Sequence, residues 1–276
     1  MNENKYIPHV FALCSLFVLG NTFVTDAFFI SGFWCNFISF VLVICFVLLF
    51  NVLIDKTRNS SRIFYIISSL LCVVALFGAG ITLFDFISFL HLNQMPQTNI
   101  FLLLLSTISI VIVFLNYKAS AIYKFCLLVS IIGCVFFIIC FIGGIKNFDL
   151  KNFDCLFEKP TFTVKNFIKN FLPILVIPAF LSFEFKKLPT KSIVGGVVTG
   201  FFVLFLCFFQ TVLSLGSDHN ISFPYLTAIG IISSGSLFTR LDGLIYFLFF
   251  IACITRVVVC LKFVIFIFTR KFKSAR

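Results

Sequence analysis

Charge is what this sequence has least of. Of its 276 residues only 11% are Asp, Glu, Lys or Arg, and only ten are acidic. A soluble domain is about one quarter charged, which clothes its core in a polar shell. This chain has too little to clothe one, so a globule in water is excluded. Histidine is scarcer still. Neither His9, His91 nor His219 has a Cys, Asp or His neighbour at catalytic or metal-ligand spacing. There is no CxxC pair, and no glycine-rich loop that would cradle a phosphate. The chain therefore reads as a non-enzyme, with no catalytic residue, no metal site and no cofactor.

Cysteine is plentiful, at eleven residues, but badly placed for a disulfide framework. Cys14, Cys45, Cys72, Cys126, Cys134, Cys140, Cys207, Cys253 and Cys260 lie inside apolar runs, where a thiol behaves as a small hydrophobe. Only Cys35 and Cys155 approach a loop, so cysteine usage says nothing about redox compartment.

What is present is apolar surface. The chain is 61% hydrophobic with a mean hydropathy of +1.16, and its solvent is lipid. The runs are continuous and do not alternate at period two, which excludes a closed barrel. Backbone hydrogen bonding inside a bilayer then leaves helices. The expected fold is an all-α polytopic membrane protein in one membrane domain, with eight spans: Val10–Phe29, Cys35–Leu53, Ile63–Leu90, Ile100–Leu115, Ile122–Ile145, Phe167–Phe185, Ser192–Leu215 and Leu241–Phe268. The first has only Lys5 before it and lacks an A-x-A cleavage site, so it reads as a retained span, not a signal peptide.

The net charge of +11 follows the same plan. Cations cluster in alternate gaps: Lys56, Arg58 and Arg62; Lys118 and Lys124; Lys186, Lys187 and Lys191; then Arg270, Lys271, Lys273 and Arg276. The gaps between them hold almost none, apart from the longer Lys146–Lys165 loop, where acidic residues interleave. The positive-inside rule accounts for the excess, predicts both termini in the cytoplasm, and leaves no reason to invoke nucleic acid.

Function in a helical bundle is sought where a span is broken or charged. The first span contains Gly20, Asn21 and Thr22, which either open the helix for a ligand or mark a close helix crossing. The sixth contains Pro173 and Pro178, followed by Ala179, Phe180, Ser182 and Glu184; a proline inside a helix predicts a kink at Pro178. Breaks in spans one and six together match transporters built from two inverted five-helix repeats. Among the in-span charges, Asp85 is placed to face a central cavity, while Asp26 lies near the outer interface. Glu184, next to Lys186 and Lys187 at the cytoplasmic end of span six, is either an interfacial ion pair or a functional charge. Arg256 is either a structural ion pair or a functional group, and Lys262 snorkels toward the headgroups.

Four stretches resemble the permease-like B subunit of bacterial spore germination receptors, within the amino acid/polyamine/organocation transporter superfamily. They are Leu19-Gly20-x-Thr22 with Trp34 opening the next span; Phe183-Glu184 ending span six; Leu215-Gly216 followed by Phe223-Pro224-Tyr225; and Thr239-Arg240-Leu241-Asp242 entering span eight. The resemblance implies an inverted-repeat fold that binds a small, amino-acid-like germinant. It also implies partnership with an A-type membrane subunit and a C-type lipoprotein subunit in the spore inner membrane. Gly20–Thr22 and Pro178–Ser182 would line the ligand pocket, spans three and eight would form walls, and the stretch carrying Pro224 and Tyr225 would cap it. Members of the family have ten spans, so eight predict a truncated 5+5-type fold, and the proline that follows the family's Gly-Thr is replaced by Thr25 and Asp26.

Three function classes follow. The leading one is a ligand-sensing germinant receptor subunit. The second is a secondary amino acid or amine transporter coupled to H⁺ or Na⁺, which accumulates labelled ligand where a receptor only binds it. The third is a structural membrane protein whose breaks are kinks.

Overall fold

The computed structural model describes residues 3–22, 33–57, 61–157, 172–185, 188–216, 225, 227–228 and 241–274. Among them every regular element is a helix. In chain order these are α1 (Glu3–Thr22), α2 (Phe33–Thr57), α3 (Ser61–Phe89), α4 (Ile100–Asn116), α5 (Ala119–Gly144), α6 (Val176–Glu184), α7 (Thr190–Leu215) and α8 (Leu241–Ser274). Four segments are long and apolar enough to cross a membrane: Ile66–Leu92, Ala119–Asn147, Thr190–Leu215 and Tyr246–Thr269. Four shorter apolar helices accompany them, Tyr6–Gly20, Phe40–Leu53, Ile100–Asn116 and Pro173–Glu184. The chain is a helical membrane protein.

Local chemistry sets the helix ends. The Asn99 side chain accepts from the Phe101 amide at 2.9 Å and starts α4, as an N-cap residue does. α3 ends in a π turn over Leu90–Gln94. α7 ends at Gly216, whose φ of 70° and ψ of −147° lie in a region that only glycine enters without strain. The segment after α5 folds back on that end as a 3-10 turn over Leu150–Phe157. There the Asp149 amide and the Asn152 side chain both donate to the Leu213 carbonyl, at 3.0 and 3.2 Å, satisfying one of the last carbonyls of α7 that has no partner within its own helix.

The sixth span differs from its expectation. Pro178 does not kink a helix; it occupies the first turn of one. A 3-10 turn over Leu172–Leu175 leads into α6, which begins at Val176. In that first turn an amide has no carbonyl four residues back within the helix, so proline sacrifices little there. The change of helix type therefore falls at Leu175–Val176. The first span also differs: α1 starts at Glu3 and runs unbroken through Gly20 to Thr22.

α1 and α8 form the core. α1 is wedged between α7 and α8 with α5 alongside, and α8 packs along α3 on its other side. Ring contacts give the register: Phe86 meets Phe250 at 5.3 Å and Phe89 meets Tyr246 at 5.6 Å, so α3 and α8 run antiparallel. α6 leans on α8 in the same sense, through Phe180 on Phe266 at 5.8 Å and Phe183 on Phe263 at 5.9 Å. α2 joins the bundle through Phe40, which contacts Phe201 and Phe205 of α7. In the α8 span 78% of residues are buried, against 22% in α5, which separates a central helix from a lipid-facing one.

Candidate functional site

The core crossings are close because small residues make them so. A Cβ on Gly20 would land on the Ala252 carbonyl of α8. On the opposite side of α1, a Cβ on Gly196 would strike the Phe11 carbonyl and come 2.7 Å from the Cys14 Cβ, and one on Gly200 would come 2.8 Å from the Val18 Cβ. Small residues at helix interfaces let backbones approach and gain dispersion contact, which is a main source of helix association in lipid. The Cys253 thiol donates to the Gly20 carbonyl at 3.0 Å across the first crossing.

One turn along α8 from that crossing stands Arg256. It is 0% exposed, and its guanidinium carbon lies 5.1 Å from the centre of the Phe17 ring on α1. None of its three guanidinium nitrogens has a hydrogen-bond partner among the described residues. Cys253 and Cys260 flank it on the same helix face, and Asp85 of α3 is close enough for its charge to act on it. Ten residues separate Arg256 from Tyr246 and thirteen from Thr269, the ends of the span, which puts the charge roughly 15–20 Å from either end. A guanidinium so placed carries five donors and a desolvation cost that only an anion or strong acceptors offset.

Two of the expected site residues meet α8. Gly20 meets α8 at Ala252, whereas Phe180 meets it at Phe266, fourteen residues on and therefore roughly 21 Å along the axis. Among the described residues, Gly20 and Phe180 therefore make two separate contacts on α8. Pro178, Ala179, Phe180 and Ser182 are all buried, and the Ser182 hydroxyl is spent on the Ala179 carbonyl at 2.6 Å. The roles expected of the Asn21 and Thr22 side chains, and of Pro224, Asp26, Lys186 and Lys187, lie outside the described residues. Tyr225, expected on an outer cap, is 1% exposed and lies between Phe137 of α5 and Phe249 of α8.

Lys262 of α8 finds partners within the bundle. Lys262 does not snorkel freely; its Nζ donates to the Leu115 and Tyr117 carbonyls at 3.1 and 2.7 Å. Those carbonyls end α4, where backbone acceptors are unpaired and the helix dipole is negative. Glu184, half-buried at the end of α6, is within electrostatic reach of Lys262.

The sequence reading passed over Gly196, Gly200 and Gly78. The first two carried a signal, a G-x-x-x-G spacing inside an apolar run. Gly78 carried none: its missing side chain makes room for the Pro173 ring, 2.9 Å from where a Cβ would sit.

No protein-family model, curated protein or solved structure matches the chain.

Proposed function

We propose that this chain is the ligand-sensing, permease-like subunit of a spore germination receptor, responsive to an amino-acid-like small molecule. In this reading it crosses the membrane eight times as an inverted-repeat bundle, with both termini in the cytoplasm. It works with an A-type membrane subunit and a C-type lipoprotein subunit. The observation that supports it best is the buried Arg256, beside the Gly20 crossing and within reach of Asp85. An ionisable group inside a membrane bundle marks a functional site by default. A guanidinium in a dry site is complementary to the carboxylate of an amino-acid-like ligand, which would take charge-assisted hydrogen bonds from Arg256.

The test is binding of an amino-acid panel to the purified full chain, followed by thermal shift. A ligand specific for the folded state raises stability by about 2.7 kcal/mol at a hundredfold excess over its Kd. The reading requires a hit that Arg256→Gln abolishes while the unliganded protein still melts cooperatively. No hit in folded protein, alone or with its receptor partners, overturns it. Accumulation of labelled ligand in proteoliposomes would instead assign the chain as a transporter.

A further inference from the structure

A second feature of the bundle is independent of the receptor reading. α5 and α7 diverge, and the space between them is a cavity of about 290 Å³ bounded by Phe137, Ile138 and Ile142 of α5 and Phe202 and Val203 of α7. It shares Cys134 and Thr199 as lining with a smaller space of about 40 Å³ that reaches Leu19 and Ala252. The smaller space therefore abuts the residues on either side of the Gly20 crossing.

Two observations identify what belongs there. The first is the medium at the mouth. Ile138, Ile142 and Phe202 are 59%, 62% and 60% exposed, and they sit on two of the helices long and apolar enough to span a membrane. What meets them is bilayer hydrocarbon. The second is the wall. It is made mainly of apolar side chains, and two of the polar ones near it are already engaged: Gln210 Nε2 donates to the Cys140 carbonyl at 3.2 Å, and the Ser15 hydroxyl donates to the Ala12 carbonyl at 2.9 Å. A polar guest entering this space loses its water and gains few hydrogen bonds in return. An apolar chain loses nothing on entry, because lipid tails are as apolar as the wall, and it fills a void that would otherwise lack dispersion contacts.

We propose that the α5–α7 crevice is a binding site for one acyl chain of a membrane phospholipid, entering sideways from the bilayer with its tip directed toward the α1–α8 crossing. Buried Tyr225, stacked on Phe137, forms part of the crevice wall. The site gives the bilayer a direct contact with the helix pair that carries Gly20 and Arg256.

The experiment uses the full chain in nanodiscs containing a phospholipid with a diazirine at the middle of one acyl chain. After photolysis and digestion, adducts are mapped by mass spectrometry. Segments 134–142 and 199–206 should label at least fivefold more per exposed residue than segment 101–113 of α4, whose Phe101, Leu102 and Leu105 are more exposed than Ile138, Ile142 and Phe202. Val203→Trp, which fills the crevice, should cut labelling of the first two segments at least fivefold and leave α4 unchanged. Should Val203→Trp melt below the parent, Thr199→Leu tests the same point with a smaller insertion. Labelling of α5 and α7 no greater than of α4, or undiminished in the filled variants, overturns the site. Labelling by a free diazirine fatty acid but not by the phospholipid overturns the assignment to a bilayer lipid.

Discussion

The guanidinium carbon of Arg256 lies 5.1 Å from the centre of the Phe17 ring, so the most costly charge in the bundle is held against the face of an aromatic ring on the helix that also bears Gly20. The negative face of the ring attracts a cation, by about 2 kcal/mol when desolvated. That is well short of the cost of removing a guanidinium from water. Phe17 therefore positions Arg256 without neutralising it, and Asp85 is the acidic group within reach.

That shortfall gives an ordered set of stabilities. Arg256→Met removes the cation but leaves Asp85 without its counter-charge, so it should lower stability by about 1–3 kcal/mol. Asp85→Asn should lower stability by about 1–3 kcal/mol, because the cation keeps its cost and loses its counter-charge. The double variant should recover most of that loss. Denaturation in a defined mixed micelle measures all three, and additive effects would show that the two residues do not interact.

The glycine crossings make a contrast within one helix type. Gly200→Leu should destabilise by about 1–3 kcal/mol or more, since overpacking here meets the Val18 side chain and the Ser15 carbonyl. Gly80→Ala, where nothing lies within 4 Å, should be neutral or stabilising by up to about 1 kcal/mol. Thermal melts of the two variants, side by side, check the pair.

Lys262→Met should cost about 1–3 kcal/mol by leaving the Leu115 and Tyr117 carbonyls without their donor. The loss should be local. Amide exchange should quicken in the α4–α5 connection, around residues 116–122, and stay unchanged in α1.

At the far end of α7, Gly216→Ala forces a side chain into a glycine-only conformation and should cost about 1–3 kcal/mol. Asn152→Ala leaves the backbone free and should cost less, about 1 kcal/mol, while exposing the Asp149 and Asn152 amides to faster exchange.

The apolar stretches were legible because a bilayer demands long uninterrupted runs, and an apolar helix overlaps each of the eight read from sequence. Which face each helix buries was not legible. In water a helix shows its buried side by its polar opposite side; in lipid both sides are apolar, and α5 and α8 look alike although one is mostly exposed and the other mostly buried. The contact between Phe17 and Arg256 joins residues near the two ends of the chain, and nothing in either neighbourhood announces the other. Pro178 was visible, but its place in the first turn of a helix depended on where α6 began, which the preceding apolar residues did not mark. Gly20 was legible as a special position, but the backbone that approaches it, Ala252, lies 232 residues away in sequence.

The grip on α1 has a mechanical consequence. Its backbone is approached from one side at Gly196 and Gly200 and from the other at Gly20, so three helices are locked by contacts too short to slide. Any change of shape that signals through this protein must leave α1, α7 and α8 as a rigid keel. The travel then falls to α2 and α6, which meet that keel through aromatic side chains that can re-seat.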